Sequence, residues 1–261
     1  MLKLDNYLHY LSKKLLLNGE YIMRLAFFSD IHGNLPALEA IINDIKSEDI
    51  DYIVYMGDAI GLGPKPYECL KMLLDSNIYF NYGNHEQYAL EGIENFRLEG
   101  MEKELLPHHL WVKEQVKDII EEIANDPKVD EDMLLKFNKK KFYLCHYANK
   151  NGLFLKPRIE NIDIDYLKQI FEEKYDYVFY GHNHEHLSLK SNKTEYICLG
   201  SSGCVKDDNT FYTIVNIDNK IEISLKKIKY NRSKFIDDFN SIDYPLKDRL
   251  GEMFFGIDNI L

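Results

Sequence analysis

Residues that can bind metal ions recur along the chain, each directly after a short apolar stretch. They are two aspartates, one asparagine and four histidines, with two further polar residues after the asparagine: Asp30, His32, Asp58, Asn84, His146, His182 and His184, with His85 and Glu86. Carboxylate, amide and imidazole groups are common ligands of divalent cations. Seven ligands are too many for one ion, so the set suits two ions that share a carboxylate. A single histidine is more often structural, but the repetition argues against a purely structural role for the whole set.

The elements that carry these residues have the pattern of β-strands alternating with helices. We predict strands at 25–28, 53–56, 78–82, 141–146 and 177–180, and helices at 36–47, 66–75 and 163–173. This alternation is typical of an α/β protein with parallel strands. Ligand sites in such proteins lie at the carboxyl ends of the strands. The candidate metal ligands stand at those ends.

The last third of the chain is rich in strand patterns. A hairpin at 187–190 and 195–199, followed by strands at 210–216 and 220–225, predicts a second sheet of antiparallel character. The tail from 231 to 261 is predicted to be helical or irregular, and we assign no chemistry to it.

A stretch at about 87–140 interrupts the alternation. Apolar residues between 105 and 123 recur at helical spacing, and Pro127 follows the end of that pattern. We predict a helical insertion that covers one side of the site, and we expect Trp111 to be a core residue. Side chains of adjacent helical residues diverge, so a role for His108 or His109 at the site is the less favoured interpretation.

Composition restricts the class of protein. The chain has 261 residues and a formal net charge of −11, and 45% of its residues are hydrophobic. No apolar run reaches the about 20 residues of a membrane span, and the acidic balance argues against general nucleic-acid binding. The cysteines show no CxxC spacing, which predicts reduced core thiols of a cytoplasmic protein rather than a zinc–thiolate site. They are Cys69, Cys145, Cys198 and Cys204.

Residues 1–22 differ from the rest of the chain. Their leucines fall near helical spacing, and they lack the features of a signal peptide. One hypothesis is that translation begins at Met23, because the codons for Gly19 and Glu20 can encode a ribosome-binding sequence. The other is a genuine helix that packs on the domain or on a partner. The sequence does not decide between them.

The motifs, taken in order, resemble those of the calcineurin-like metallophosphoesterases. D-x-H, G-D, G-N-H-E, H and G-H-x-H occur between residues 30 and 184, and the resemblance extends from Met23 to about residue 225. It implies an α/β fold, a two-sheet sandwich flanked by helices in four αββα layers. It also implies that Asp30, His32 and His184 hold a first metal ion. Asn84, His146 and His182 would hold a second ion, with Asp58 as the bridge.

The resemblance also implies a mechanism. Two divalent cations about 3.5–4 Å apart activate a bridging hydroxide for attack on phosphorus and neutralise phosphate oxygens. We expect His85 to protonate the leaving oxygen or to stabilise charge on the phosphate, and Glu86 to orient His85 and favour its protonated form. The nitrogen and oxygen ligands suit Mn²⁺, Fe²⁺ or Zn²⁺. The ligand types do not distinguish among these three ions, and we place manganese first as the expected cofactor.

Departures from the family pattern indicate which subgroup of the family the chain resembles. Protein Ser/Thr phosphatases carry Asp-Arg-Gly after the second motif, whereas this chain has Ala59-Ile60-Gly61 after Asp58. The chain is more similar to small bacterial and archaeal phosphodiesterases of the diadenosine-tetraphosphatase-like group, although their Asn-Pro before Gly200-Ser201 is missing. We expect that Gly-Ser loop to close near the metals. Without the arginine, the candidate phosphate-binding cations are Lys156, Arg158 and Lys206, each more easily explained as a surface charge.

The sequence therefore predicts a metal-dependent phosphoesterase that hydrolyses a small phosphodiester, nucleotide or dinucleoside polyphosphate. A protein Ser/Thr phosphatase is the alternative enzyme. A metal-binding interaction scaffold without turnover is the alternative from another class, because a retromer subunit has a similar fold. The native substrate, the role of the insertion and whether the chain forms a homo-oligomer stay open.

Overall fold

The computed structural model describes residues 23–96, 100–137, 139–150, 153–155, 161–171 and 173–257. Residues 1–22, on which the two hypotheses about the start of the chain depend, lie outside this part. Strands and helices are numbered here in chain order.

Two sheets form the centre of the fold. The first sheet contains six strands: β1 (Met23–Phe28), β2 (Tyr52–Met56), β3 (Tyr79–Asn81), β4 (Val129–Asp130), β12 (Asn209–Ile217) and β13 (Ile221–Lys229). The second sheet contains five: β5 (Asp132–Phe137), β6 (Lys140–Cys145), β9 (Tyr177–Tyr180), β10 (Leu187–Lys190) and β11 (Glu195–Cys198). A short hairpin joins β7 (Ala148–Lys150) to β8 (Leu153–Leu155).

Helices flank the two sheets. They are α1 (Leu35–Ser47), α2 (Pro66–Leu74), α3 (Asn84–Gln87), α4 (Gly100–Glu104), α5 (Leu106–Val116), α6 (Ile120–Asn125), α7 (Ile164–Ile170), α8 (Arg232–Ser241) and α9 (Lys247–Leu250). Single π-helical turns, Tyr88–Gly92 and Gly251–Phe255, follow α3 and α9. In the part of the chain given above, no helix is both long and apolar enough to cross a membrane.

The packing of side chains produces four layers. Alternate residues of a strand point to opposite faces, so Leu25 and Phe27 of β1 pack between the sheets while Ala26 and Phe28 face the helices. The outer face of the first sheet is covered by α1, α2, α5 and α6, and that of the second sheet by α7. This confirms the predicted α/β fold, a two-sheet sandwich flanked by helices.

The order of the strands corrects one prediction. The last two strands, β12 and β13, do not belong to a second sheet but extend the first, because β12 pairs antiparallel with β1 from Met23↔Ile217 to Phe27↔Thr213. The second sheet is mixed rather than antiparallel, since β6, β9 and β11 run parallel to one another. The strand boundaries were predictable from local patterns, but the choice of neighbouring strand depends on contacts distant in sequence.

The insertion differs from its prediction, whereas the tail is helical, as one of its two predicted forms. The helical part of the segment expected at about 87–140 ends at Asn125, and β4 and β5 then enter one sheet each. Trp111 is half-buried, and its ring stacks on Tyr244 of the tail with centroids 4.9 Å apart. The tail forms α8, α9 and the last π-helical turn, which pack together on α1 and the insertion.

Candidate metal centre

The candidate ligands meet at one edge of the sandwich. The segments after β1, β2 and β3 of the first sheet carry Asp30 and His32, then Asp58, then Asn84, which is the first residue of α3. Loops after β6 and β9 of the second sheet carry the remaining histidines, which are His146, His182 and His184. Strands β1, β2 and β3 are parallel, and so are β6 and β9, so their carboxyl ends lie side by side.

Three ligand atoms form a compact triangle. The Nε2 atoms of His32 and His184 are 3.1 Å apart. The Oδ1 atom of Asp30 is 3.6 Å from each of them. Ligand atoms of one tetrahedral ion lie about 3.4 Å from one another when the metal–ligand bonds are about 2.0–2.1 Å long. The triangle therefore has the dimensions of a shared coordination shell.

A second group of ligands adjoins the triangle. Asp58, His146 and His182 each offer one ligand atom, and these atoms lie within 4.8 Å of one another. The Oδ2 atom of Asp58 is 3.1 Å from Nε2 of His146 and 3.9 Å from Nε2 of His32. Asp58 thus lies between the two groups, where a bridging carboxylate would stand.

Hydrogen bonds to the backbone orient the ligands. His146 Nδ1 is 2.7 Å from the carbonyl oxygen of Met56, and His32 Nδ1 is 3.2 Å from that of Ile60, so the Nε2 atom of each ring is directed into the site. Hydrogen bonds with the backbone also orient the two aspartates. Asp58 Oδ1 accepts the N–H of His85, and Asp30 Oδ2 accepts that of His182, which leaves the other oxygen of each carboxylate facing the ligands.

Two buried acceptors test whether metal ions fit these residues. Asp30 Oδ1 and Asn84 Oδ1 are inaccessible to solvent and have no hydrogen-bond partner among the described residues. An unsatisfied buried polar atom costs about 1–3 kcal/mol. Both atoms are oxygens of predicted ligands, so the positions of these orphaned acceptors fit divalent cations.

The backbone at the site is strained. Asp30, His32, Asp58 and His182 have φ angles of 56°, 47°, 60° and 69°, in the left-handed region that non-glycine residues rarely occupy. Such strain costs about 1–3 kcal/mol per residue and is found mainly at functional sites. Four of the predicted ligands therefore share a conformation that packing alone does not favour.

The charges within the site are mutually stabilised. Burial would raise the pKa of Asp58, but neighbouring imidazoles, above all that of His146, outweigh it and hold that pKa well below its usual value. Burial would lower the pKa of His146, but the carboxylates of Asp58 and Asp30 raise it to about 9. Burial, reinforced by His32, lowers the pKa of His184 to about 4. The carboxylates are thus ionised and available as ligands.

Glu86 holds the loops of the site together. Its carboxylate is fully buried and accepts hydrogen bonds from the backbone N–H groups of Gly83, Asp58, Ala59 and Ile60, at 2.8–3.2 Å. Burial, followed by the charge of Asp58, raises the pKa of Glu86 to about 7. The sequence suggested that Glu86 orients His85; the hydrogen bonds of its carboxylate go instead to backbone groups of the loops after β2 and β3.

His85 lies between the ligands and the helical insertion. Its Nε2 atom is 4.0 Å from Asp58 Oδ2, and its ring centroid is 5.0 Å from that of His32 and 5.1 Å from that of His109. Burial lowers the pKa of His85 well below its ordinary value, and the attraction of Asp58 only partly opposes this. The expectation that Glu86 favours the protonated form of His85 stays a prediction.

The loop at Gly200-Ser201 packs against the loop that carries Asp30, as expected from the sequence. Ser201 Oγ donates to the carbonyl oxygen of Asp30 at 2.7 Å, and Gly203 N donates to the same oxygen at 3.0 Å. A Cβ atom on Gly203 would lie 1.9 Å from the carbonyl oxygen of Ile31, so only glycine permits this approach.

The structure describes only one of the candidate phosphate-binding cations. Lys206 is exposed, and its Cβ lies beside Gly256 of the tail. Lys156 and Arg158 lie outside the described residues. Binding of a substrate phosphate by these three cations stays a prediction.

Three further residues border the site without belonging to any motif. His109 of α5 contacts the His85 ring, Cys204 lies beside His32 and His184, and Phe254 of the tail meets the His184 ring with centroids 5.6 Å apart. No local pattern marks them, because each reaches the site through packing of a distant element. His108, by contrast, packs on Trp111 and Tyr244.

Comparisons with known proteins agree with this arrangement. Residues 23–220 match the calcineurin-like phosphoesterase superfamily domain. The chain is similar to an uncharacterized protein, MJ0912, of Methanocaldococcus jannaschii, with 30% identity over 237 residues that cover 80% of this chain and 93% of that protein. It is 25% identical over 164 residues to the phosphodiesterase MJ0936 of the same organism, covering 62% of this chain and 74% of that protein.

One solved structure has a closely similar fold. The hypothetical protein PH1004 of Pyrococcus horikoshii aligns with a TM-score of 0.72 and 17% identity, over 90% of this chain and 99% of that one. At this identity the likeness shows the fold alone. Together with the match over residues 23–220, the fold confirms the resemblance stated from the motifs. The chain belongs to the calcineurin-like phosphoesterase superfamily, a group of metal-dependent phosphoric ester hydrolases.

Proposed function

We propose that the protein is a two-metal phosphoesterase that hydrolyses a small phosphodiester, nucleotide or dinucleoside polyphosphate. One observation carries the proposal: the triangle of Asp30 Oδ1, His32 Nε2 and His184 Nε2 stands beside Asp58 and the second ligand group. Asp30, His32 and His184 would hold one ion, and Asn84, His146 and His182 the other. Asp58 would bridge the two ions.

The bound ions would supply the Lewis acidity that activates water and neutralises phosphate charge. The protein's own residues prepare the site for this chemistry. Asp58 holds its Oδ2 atom between the ligand groups because the N–H of His85 fixes Oδ1. Glu86 fixes the backbone on both sides of Asp58, so the ligands are in place before substrate arrives.

His85 is the residue that we propose to contact the substrate phosphate or the leaving oxygen. Burial lowers the pKa of His85, so the ring is neutral and its one N–H can donate a hydrogen bond to the phosphate or to the leaving oxygen. Transfer of a proton to the leaving oxygen would require the imidazolium form. The ring is held between Gly61 and His109, which limits its rotation. His85 would therefore act as a fixed donor beside the metal ligands.

The helical insertion and the tail enclose the site on two sides, which favours a small substrate. The insertion contributes His109 on the side of His85, and the tail contributes Phe254 on the side of His184. Where protein phosphatases carry an arginine after the second motif, this chain has Ala59 and Ile60, which are buried and donate their N–H groups to Glu86. Half-buried Phe254 offers an aromatic surface for a nucleobase, which favours a nucleotide substrate.

Two further parts of the proposal concern the ions and the location. The ligand atoms of the motif residues are nitrogen and oxygen, which suit Mn²⁺, Fe²⁺ or Zn²⁺; these residues alone do not select among the three ions, and manganese is placed first. All four cysteines are free. This agrees with the reducing conditions of the cytoplasm, where we propose that the protein acts.

A substrate panel tests the proposed function. Bis-p-nitrophenyl phosphate, a dinucleoside polyphosphate and a phosphoserine peptide are incubated with Mn²⁺ and the wild type, the His85→Ala variant or the His186→Ala variant. The exposed side chain of His186 makes the last a matched control. We expect hydrolysis of the diester and the dinucleotide, a loss of about 100-fold or more in His85→Ala, and no loss in the control.

Other outcomes of the panel favour the alternatives. Hydrolysis of the phosphopeptide alone would indicate a protein phosphatase. Binding of metal without turnover of any substrate would support the scaffold, and equal activity of all three proteins would remove His85 from the mechanism.

A further inference from the structure

Cys204 stands next to the first ligand group. Its Sγ atom and one ring nitrogen each of His32 and His184 all lie within 4.8 Å of one another. The family pattern that the sequence follows contains no cysteine at this place, and the sequence alone favoured a core thiol. The side chain is half-buried rather than fully buried.

The loop that carries Cys204 is fixed in position. Gly203 donates its N–H to the carbonyl oxygen of Asp30, and Cys204 donates its own N–H to Ser201 Oγ at 2.7 Å. Ser201 Oγ in turn donates to Asp30. Because the loop is tied to the residue that supplies the carboxylate, the thiol keeps its place beside the two histidines.

A second observation indicates that a ligand belongs there. Asp30 Oδ1 is fully buried, has no hydrogen-bond partner among the described residues, and lies 3.6 Å from both histidine nitrogens. Together with the thiol, this gives four donor atoms, the usual number for zinc, and the bridging Asp58 of the proposed function would add a fifth, which zinc also accepts. Zinc–sulfur bonds are about 2.3 Å long, so sulfur and nitrogen ligands of one ion lie about 3.6 Å apart. The Sγ atom lies within 4.8 Å of one ring nitrogen of each histidine, so a shift of about 1 Å would bring it to that distance.

We propose that the Cys204 thiolate is a ligand of the ion held by Asp30, His32 and His184, and that it gives this position a preference for Zn²⁺, Fe²⁺ or Co²⁺ over Mn²⁺ and Mg²⁺. The inference rests on the metal centre of the proposed function. When the ion binds, the S–H bond is broken, a sulfur–metal bond forms and the proton is released to solvent. Thiolate is a soft ligand that Mn²⁺ and Mg²⁺ bind poorly.

The other cysteines provide the comparison. Cys69 lies in α2 within the core between the helices and the first sheet. Cys145 and Cys198 are buried on the outer face of the second sheet, and each places its Sγ near a backbone carbonyl oxygen. Among the cysteines, Cys204 alone occurs in a candidate metal-binding group of the described residues.

Absorption spectroscopy of the cobalt-loaded protein tests the proposal. A Co²⁺–thiolate bond gives a charge-transfer band in the near ultraviolet, which nitrogen and oxygen ligands do not give. We expect the band in the wild type and in Cys69→Ala, and its loss in Cys204→Ser. We also expect Cys204→Ser to bind Zn²⁺ at least about tenfold more weakly while its affinity for Mn²⁺ stays unchanged.

The outcomes separate this inference from the proposed function. Wild-type protein that binds Co²⁺ and hydrolyses a diester but lacks the band would overturn the inference alone. Protein that neither binds Co²⁺ nor turns over would overturn both. If Cys204→Ser fails to fold, the wild-type spectrum still decides, because Cys204 is the one cysteine of the described residues that occurs in a candidate metal-binding group.

Discussion

The Nε2 atoms of His32 and His184 lie 3.1 Å apart, although 152 residues separate the two histidines in sequence. Two ring nitrogens at this distance either share a proton or face the same ion. Asp30 Oδ1 is 3.6 Å from both, which is the arrangement expected for three ligands of one cation. Both sheets are needed to form this triangle of ligand atoms, because Asp30 and His32 follow β1 of the first sheet and His184 follows β9 of the second.

Metal binding is expected to stabilise the fold, because the folded protein assembles ligands that the unfolded chain keeps apart. An ion present at about 100 times its Kd should raise the free energy of unfolding by about 2.7 kcal/mol. Thermal unfolding with Mn²⁺ or Zn²⁺, compared with chelator, measures this for the wild type and for His184→Ala. The control is His186→Ala, and identical melting temperatures with and without ions would rule out the assembled site.

Glu86→Gln should weaken both the fold and the metal centre. The carboxylate accepts four backbone N–H groups, whereas an amide offers one oxygen and directs an NH₂ group at the remaining donors. We expect a loss of about 1–3 kcal/mol in unfolding free energy and about 10–100-fold in metal affinity. Denaturant titration and metal binding are compared with Glu121→Gln, which changes an exposed helix residue. Unchanged metal affinity would refute the positioning role.

Gly61→Ala should disturb His85 without removing a metal ligand. Gly61 has a φ of +90°, and a Cβ atom there would lie 2.2 Å from Nδ1 of His85. We expect turnover to fall at least about tenfold while the protein retains its bound ions, because the ring must move. Gly100→Ala is the matched control, since Gly100 also has a positive φ but no atom within 4 Å of the added Cβ. Equal activity of the two variants would exclude the steric effect.

His108→Phe should make the fold less sensitive to acid. Burial lowers the pKa of His108 to about 3, whereas the unfolded chain takes up a proton near its ordinary value of 6.5. The folded state therefore loses stability as the pH falls from about 6.5 towards 3. Phenylalanine keeps the packing on Trp111 and Tyr244 but removes this titration.

Denaturant unfolding at about pH 7 and about pH 5 provides the measurement. Between these values the wild type should lose up to about 2 kcal/mol more than His108→Phe. Other titrating groups are common to both proteins and cancel in the comparison. The same loss in both proteins would contradict the assignment of the pKa.

Local sequence patterns anticipated most of the site. Asp30, His32, Asp58 and the later histidines are recognisable because each ends a strand, and parallel strands bring such ends together. The match over residues 23–220 confirms the family that those motifs indicated. The assignment of individual ligands to each ion stays a proposal.

Features that depend on distant packing could not be predicted. β12 pairs with β1 across most of the chain, and nothing in either strand specifies the partner. Glu86 was recognised as relevant, but its four backbone partners come from two loops whose approach is a tertiary event. His109, Cys204 and Phe254 reach the site through the insertion, the Gly-Ser loop and the tail, and none of these segments carries a motif.

A single titration tests the central claim of a two-metal phosphoesterase most directly. Metal-free protein is titrated with Mn²⁺, and bound metal and the rate of bis-p-nitrophenyl phosphate hydrolysis are measured together, for the wild type and Asp58→Asn. We predict that the wild-type rate reaches its maximum at two bound ions per chain and that Asp58→Asn is at least about 100-fold slower. Full activity without metal, or no turnover of this diester with two ions bound, would contradict the account.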